Sequence, residues 1–158
     1  MARFNFYLDK LLYWVCAGLM FMMAALIFAQ VVARYAFHNS ITWSEELGRF
    51  IFVYMSFIGM AVAIRQRKHV ALDLLLRKVN PRFRQIISVI NNLLLIVLAI
   101  AIFWSGYKMV GMTMRQITPA MKLSMGHVYI VIPVSGLLML YYVGLQMIKD
   151  MKSGGKEE

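Results

Sequence analysis

The chain has 158 residues, of which 61% are hydrophobic and only 15% are charged. Soluble domains are about half apolar and about a quarter charged, so this composition and a mean hydropathy of +0.68 indicate a membrane protein. A net charge of +10 would suggest nucleic-acid binding in a soluble protein. In a membrane protein the positive-inside rule explains it without a nucleic-acid partner.

Four stretches without charged residues each predict a membrane-spanning helix, which needs roughly 20 apolar residues. The second stretch is short, and it reaches this length only if its helix begins near Trp43 and includes Arg49. We predict an all-α integral membrane protein with four transmembrane helices and a short interfacial amphipathic helix in a cytoplasmic loop. The four-helix domain covers residues 1–150, with spans at about 11–34, 43–64, 81–108 and 127–148, and a mobile cytoplasmic tail follows at 151–158.

The stretch "TWSEELGRF" places three charged residues at the start of the second span. Glu45 and Arg49 are one helical turn apart, in the order that favours an ion pair. Only about ten residues separate Arg34 from Glu45, so the two helix ends must lie close together. We predict that Glu46 and Arg49, with Arg34 nearby, join the first two helices, either as a structural pair or as a contact with another subunit.

Between the second and third spans, "RQRKHVALDLLLRKVN" combines a basic run with leucines at helical spacing. This pattern predicts a short amphipathic helix in the cytoplasmic interface, where basic side chains set the topology and can contact anionic phospholipid. Asn80-Pro81 is typical of an N-cap followed by the first residue of a helix, so the third span should begin at Pro81. The residues predicted at the lipid interface are Arg65, Arg67, Lys68, Arg77 and Lys78.

The orientation of the chain follows from its basic residues. With a cytoplasmic N-terminus, twelve Lys and Arg residues lie on the cytoplasmic side and five on the other. The positive-inside rule then predicts that both termini are cytoplasmic. Within the fourth span, Pro133 predicts a kink or a packing contact.

None of the four spans has an Asp, Glu, Lys or Arg near its middle, where such residues mark transport pathways. We therefore expect that the chain does not form a substrate pathway by itself. A multidrug exporter would need an acidic residue in the middle of the first span. No constellation typical of catalysis or metal binding is present, so we expect neither enzyme activity nor a cofactor in this chain. The main alternative is a four-helix anchor subunit of a redox complex, with or without haem, although His38, His69 and His127 lie at helix ends or in loops.

Residues 34–75, "RYAFHNSITWSEELGRFIFVYMSFIGMAVAIRQRKHVALDLL", resemble the small permease subunit of tripartite ATP-independent periplasmic (TRAP) transporters, the DctQ type. The shared features are Arg-Tyr and Phe after the first helix, Trp and Glu-Leu-x-Arg opening the second, a Gly within it, and a basic segment with a His. The matching residues are Arg34, Tyr35, Phe37, Trp43, Glu46, Leu47, Arg49, Gly59 and His69. The later "TPAMKLSMGHVYIVIPVSGLL" resembles the family's Thr/Ser-Pro-Ala segment and fourth helix, including Tyr129 and Pro133.

The resemblance implies a role inside a larger complex in a bacterial inner membrane. In TRAP systems a large membrane subunit carries the substrate and Na⁺ sites and moves as an elevator, while the small subunit enlarges the immobile part. The implied partners are an obligate large subunit, a periplasmic solute-binding protein and phospholipid, with Na⁺ bound only by the large subunit. The implied substrate is sialic acid, to whose transporters "FHNSITWSEEL" is most similar, or a C4-dicarboxylate or another sugar acid. The candidate structural or interaction residues are Arg34, Tyr35, Trp43, Glu45, Glu46, Arg49, His69 and Pro133.

Overall fold

The computed structural model describes residues 2–38, 41–65 and 81–153. This part of the chain forms five helices: α1 (Ala2–Ala36), α2 (Thr42–Arg65), α3 (Pro81–Thr113), α4 (Met125–Tyr129) and α5 (Val131–Ser153). Four segments are long and apolar enough to cross a membrane, the fourth being formed by α4 and α5 together. The predicted all-α class with four membrane-spanning helices is therefore confirmed.

The helices extend further than the charge-free runs of the sequence. The helix α1 includes Asp9, α3 continues to Thr113, and α5 reaches Ser153. The sequence criterion started the first span at residue 11, after Asp9 and Lys10, whereas in the structure Asp9 lies within α1 and pairs with Arg65. The interfacial helix predicted before Pro81 and the last five residues of the predicted tail lie outside the described residues.

The helix α5 occupies the centre of the fold. It packs against both α2 and α3, and α1 packs mainly against α2. The core consists of buried side chains from all four spans: Leu12, Ala61, Ile64, Leu95, Ala99, Met139, Tyr142 and Val143. Leu12 is the only buried residue among the described side chains of α1. The helix α1 is therefore the least enclosed of the four spans.

Pro133 lies in the first turn of α5, three residues after the break at Ile130 that separates α4 from α5. A proline has no backbone N–H, so it is tolerated in a first turn, where N–H groups have no partner inside the helix. The carbonyl of Tyr129 cannot receive the usual bond from residue 133, and the helix is interrupted at this point. The structure thus places a break where the sequence predicted a kink or a contact.

The helices α3 and α5 approach each other closely at two glycines. A Cβ atom on Gly136 would lie 2.8 Å from the backbone N of Phe103, and one on Gly106 would lie 2.8 Å from the backbone N of Pro133. Helices in lipid associate largely through packing, and small residues let their backbones come together. Pro133 is therefore also a packing residue at the α3–α5 contact.

We expect Gly136→Ala to destabilise the chain by about 1–3 kcal/mol, because the added methyl group meets backbone atoms that cannot rotate away. Gly144→Ala is the matched control on the same helix, since a Cβ there meets nothing within 4 Å. Alanine favours a helix over glycine by about 1 kcal/mol, so the control should be neutral or stabilising. Thermal unfolding of the purified chain in micelles measures both, and equal transition temperatures would contradict the close contact.

Candidate functional site

Polar contacts lie at both ends of the four spans. We call the end with the α1–α2 turn and the α3–α4 loop the turn end, and the end with the start of α1 and the end of α5 the terminal end. Polar side chains at a helix end can be hydrated, but several of these are buried and bonded to other helices. The two ends therefore contain the candidate interaction sites.

At the turn end, the carboxylate of Glu46 binds the backbone of the α3–α4 loop. Its Oε1 accepts a hydrogen bond from the Ala120 N–H at 3.0 Å, and its Oε2 accepts one from the Met121 N–H at 2.9 Å. Glu46 is only 9% exposed. Because hydrogen bonds to a charged acceptor are stronger than those between neutral groups, these two bonds attach the loop firmly to α2.

The loop from residue 117 to residue 124, the rim loop, is shaped to present these two amides. Thr118 N–H donates to the Leu123 carbonyl at 2.9 Å, and the Leu123 N–H donates back to the Thr118 hydroxyl at 3.1 Å. Lys122 closes the turn with a φ of 52°. Pro119 has no N–H, and the amides of the two residues that follow it, Ala120 and Met121, are the ones that bind Glu46.

A second contact at the turn end joins α1 to α2. Gln30 donates from Nε2 to the Ser44 hydroxyl at 2.7 Å, and Ser44 donates to the Ile41 carbonyl at 2.6 Å. Ser44 is almost fully buried, at 1% exposure. Sequence reasoning missed Ser44, because a serine beside three charged residues gives no signal that it is buried.

The charged residues of "TWSEELGRF" have partners that differ from those predicted. Arg34 pairs with Glu45 at 3.8 Å, and both side chains are more than half exposed. Such an exposed pair contributes about 0–1 kcal/mol. Glu46 bonds the rim loop and not an arginine, while Arg49 is exposed beside a cavity between α2 and that loop. The predicted Glu46–Arg49–Arg34 group is therefore replaced by two separate contacts.

The other predicted residues fall into two sets. Tyr35 and Trp43 are exposed at the turn end, and Pro133 packs against Gly106. Their predicted role in contacts with another subunit stays a prediction. The remaining residues lie outside the described part of the chain, and their predicted roles stay predictions as well: Arg67, Lys68, His69, Arg77 and Lys78.

At the terminal end, Asp9, Arg65 and Tyr142 join three helices, and we call them the Asp9 cluster. Arg65 Nε lies 3.1 and 3.0 Å from the two carboxylate oxygens of Asp9, and its Nη2 lies 2.9 Å from Oδ2. The buried Tyr142 donates its hydroxyl to Asp9 Oδ1 at 3.0 Å, and its ring lies 5.7 Å from the Arg65 guanidinium. Planar bidentate pairs of this kind are among the stronger charge contacts in proteins.

Arg65, whose predicted position at the lipid interface stays a prediction, belongs to the Asp9 cluster. Its side chain is only 26% exposed, and it is bonded inside the protein. A neighbouring bond runs from the Gln146 amide to the Ile64 carbonyl, and another from the Tyr141 hydroxyl to Asn5 at 2.7 Å. The only hint in the sequence was that Asp9 and Arg65 are opposite charges expected at the same membrane end.

A metal site needs several ligand side chains close together in the structure. Across the described ranges, no three His, Cys, Asp or Glu side chains come together as metal ligands. His38 follows the end of α1 and His127 lies in α4, so both are at the turn end. The described geometry holds helices and a loop together, and it presents exposed apolar faces along α1 and α3.

These features define a multi-pass α-helical membrane subunit whose polar contacts are structural. Its sequence matches the profile of a known family, "Tripartite ATP-independent periplasmic transporters, DctQ component", over residues 23–153. The chain belongs to this family. The predicted resemblance is confirmed, and the chain is a transporter permease subunit of an inner membrane and not an enzyme.

Similar proteins include both short and long chains. A putative TRAP transporter small permease protein of Haemophilus influenzae is 29% identical over 146 residues, which cover 92% of this chain and 88% of the relative. The sialic acid TRAP transporter permease protein SiaT of the same species is 28% identical over 94% of this chain but only 24% of its own length. The isethionate TRAP transporter permease protein DctMQ of Oleidesulfovibrio alaskensis is 31% identical over 69% of this chain and 17% of its own length.

We expect Glu46→Ala to release the rim loop, because the Ala120 and Met121 amides lose their charged acceptor. Glu45→Ala is the matched control, since its exposed pair contributes at most about 1 kcal/mol. Trypsin cleavage after Lys122 in the folded chain reports the opening of the loop. Cleavage should be much faster in Glu46→Ala than in Glu45→Ala, and equal rates would contradict the anchoring role.

Proposed function

We propose that the chain is the immobile scaffold subunit of a Na⁺-driven TRAP transporter that imports an organic acid. It pairs with a large permease subunit, which carries the substrate and the Na⁺ and moves against the fixed small subunit. The chain itself binds no cofactor. A periplasmic solute-binding protein delivers the substrate to the complex, and the turn end is the surface available to it.

The observation that carries this proposal is the distribution of polar groups. Charged contacts lie at the two ends of the spans, where they join α1, α2, α5 and the rim loop. The middle of each span is apolar, with no charged residue that could line a substrate pathway. A subunit with fixed ends and an apolar middle suits a scaffold, and a separate subunit must then supply the transport site.

The long relatives support the pairing with a large subunit. SiaT and DctMQ match this chain over about a quarter or less of their length, so each contains a much longer additional segment. In these proteins the region similar to this chain is covalently joined to the rest of a permease. We propose that the same association forms here between separate chains.

For the substrate we favour sialic acid over a C4-dicarboxylate or another sugar acid. The similarity of the "FHNSITWSEEL" stretch to sialic-acid members and the match to SiaT support this choice. For the orientation we propose that both termini are cytoplasmic, because twelve of the seventeen Lys and Arg residues then lie inside.

The test is to purify the chain with a tagged large permease subunit and to reconstitute it in liposomes. We expect both subunits to copurify, and sialic acid uptake to require the Na⁺ gradient, the binding protein and both subunits together. Uptake by this chain alone, or a haem absorption band in the purified chain, would contradict the scaffold role. Competition with unlabelled C4-dicarboxylate separates the two substrate classes.

The orientation is tested separately, with a reporter enzyme that is active only in the cytoplasm, fused after Lys152. We expect this fusion to be active, because the C-terminus is then cytoplasmic.

A further inference from the structure

The cavity beside Arg49, the Arg49 cavity, lies at the turn end between α2 and the rim loop. Its volume is about 470 Å³, within the range of about 300–1,000 Å³ that is common for small-molecule sites. The side chains that matter for its chemistry are Glu45, Glu46, Arg49, Phe50, Pro119 and Met125. It lies near the start of a membrane span, and the half-exposed Trp43 in the same turn of α2 fits the headgroup layer.

The charges in this cavity are not equally available to a ligand. Both oxygens of Glu46 already accept amide hydrogen bonds from the rim loop. Arg49 is exposed and forms no salt bridge within the described ranges, and it lies close enough to Glu46 for their opposite charges to attract. Glu45 makes only its long contact with Arg34. The hydrogen-bond donors of Arg49 and an oxygen of Glu45 therefore remain available to a ligand.

These two charges are spaced as a small zwitterion requires. Glu45 and Arg49 are four residues apart on α2, so their Cβ atoms are about 5–6 Å apart on one helix face. The positive end of the α2 dipole adds to Arg49 in favouring a phosphate. In an ethanolamine phosphodiester, two carbons separate the ammonium group from the phosphate ester. The distance between these two charged groups is of the same order as the spacing of Glu45 and Arg49 on the helix.

We propose that the Arg49 cavity binds the headgroup of a zwitterionic phospholipid, with the phosphate on Arg49 and the ammonium on Glu45. Phosphatidylethanolamine is the headgroup that fits, because its ammonium can donate hydrogen bonds to a carboxylate. Phe50, Pro119 and Met125 provide the apolar wall against which the glycerol and the first acyl carbons pack. An anionic lipid is disfavoured, because it has no ammonium group to compensate Glu45.

The site has a consequence for the rim loop, because the same cavity is lined by α2 and by Pro119 and Ala120. A bound headgroup contacts both walls and supports the loop at the point where Glu46 holds it. The inference does not depend on the transported substrate or on Na⁺ coupling. Its failure would therefore leave the proposed transport function untouched.

The test is native mass spectrometry of the full chain in micelles that contain equal amounts of phosphatidylethanolamine and phosphatidylglycerol. We expect the wild type to retain phosphatidylethanolamine preferentially. Arg49→Gln should reduce this retention at least about tenfold, since a charge-assisted hydrogen bond of about 1.5–3 kcal/mol is lost. Arg115→Gln is the matched control, because Arg115 is an exposed arginine at the same end that does not line the cavity.

A second variant separates headgroup recognition from loss of structure. Glu45→Gln keeps Arg49, so it should still retain lipid but lose the preference for ethanolamine over glycerol. An unchanged preference in Glu45→Gln, or equal retention by Arg49→Gln and Arg115→Gln, would overturn the proposal. Displacement of the lipid by free phosphoethanolamine at equal concentration would assign the cavity to a soluble ligand and also overturn it. Loss of the retained lipid when the large subunit binds would assign the cavity to a protein contact and would likewise overturn the proposal.

Discussion

The ion pair between Asp9 and Arg65, with the hydroxyl of Tyr142, is the strongest of the polar contacts that position α1. The helix α1 packs against α2 and buries only Leu12 among its described side chains. Lipid is as apolar as the side chains of α1, so the hydrophobic effect does not hold this helix against its neighbours. The bidentate pair and its buried tyrosine partner provide the attraction that the hydrophobic effect does not provide in lipid. They join α1 to both α2 and α5.

The turn end is also held by a charged side chain, but its partner there is the backbone and not another charge. Glu46 is a charged group that would be costly to bury alone, and it is satisfied by two backbone amides of the rim loop. Between the two ends, α3 and α5 are held by close packing at Gly106 and Gly136. The turn end, the terminal end and the α3–α5 contact are thus each held by a different kind of interaction.

The sequence predicts the spans well and the polar contacts poorly, for physical reasons. Hydropathy and length identify a helix in lipid because every backbone group must be bonded within it. The same method avoids charges, so it started the first span at residue 11, after Asp9, and gave no sign that Asp9 pairs with Arg65. Backbone amides carry no side-chain signature, and Glu46 is 74 residues from Ala120, so local spacing could not reveal their contact.

The two sequence motifs that carry the family resemblance contain both partners of the Glu46 contact, but the resemblance did not predict that they bind each other. The Glu-Leu-x-Arg motif contains Glu46, and the Thr-Pro-Ala segment contains the rim loop that binds it. In the structure the two amides that bind the carboxylate directly follow the proline of this segment. Arg49, the other charged residue of the motif, is not needed for this contact and remains available at the cavity.

The most direct measurement of the central claim is a double-mutant cycle on Asp9 and Arg65, followed by thermal unfolding of the full chain in micelles. Asp9→Asn and Arg65→Gln should each lower the free energy of unfolding by about 2 kcal/mol, since each removes a charge-assisted pair. The double variant should be no less stable than either single variant, because no charge is then left without its partner. Lys10→Gln, a change at the exposed neighbour, should have no effect. Unchanged single variants, or a double variant with the sum of both losses, would contradict the claim that this pair holds α1 in place.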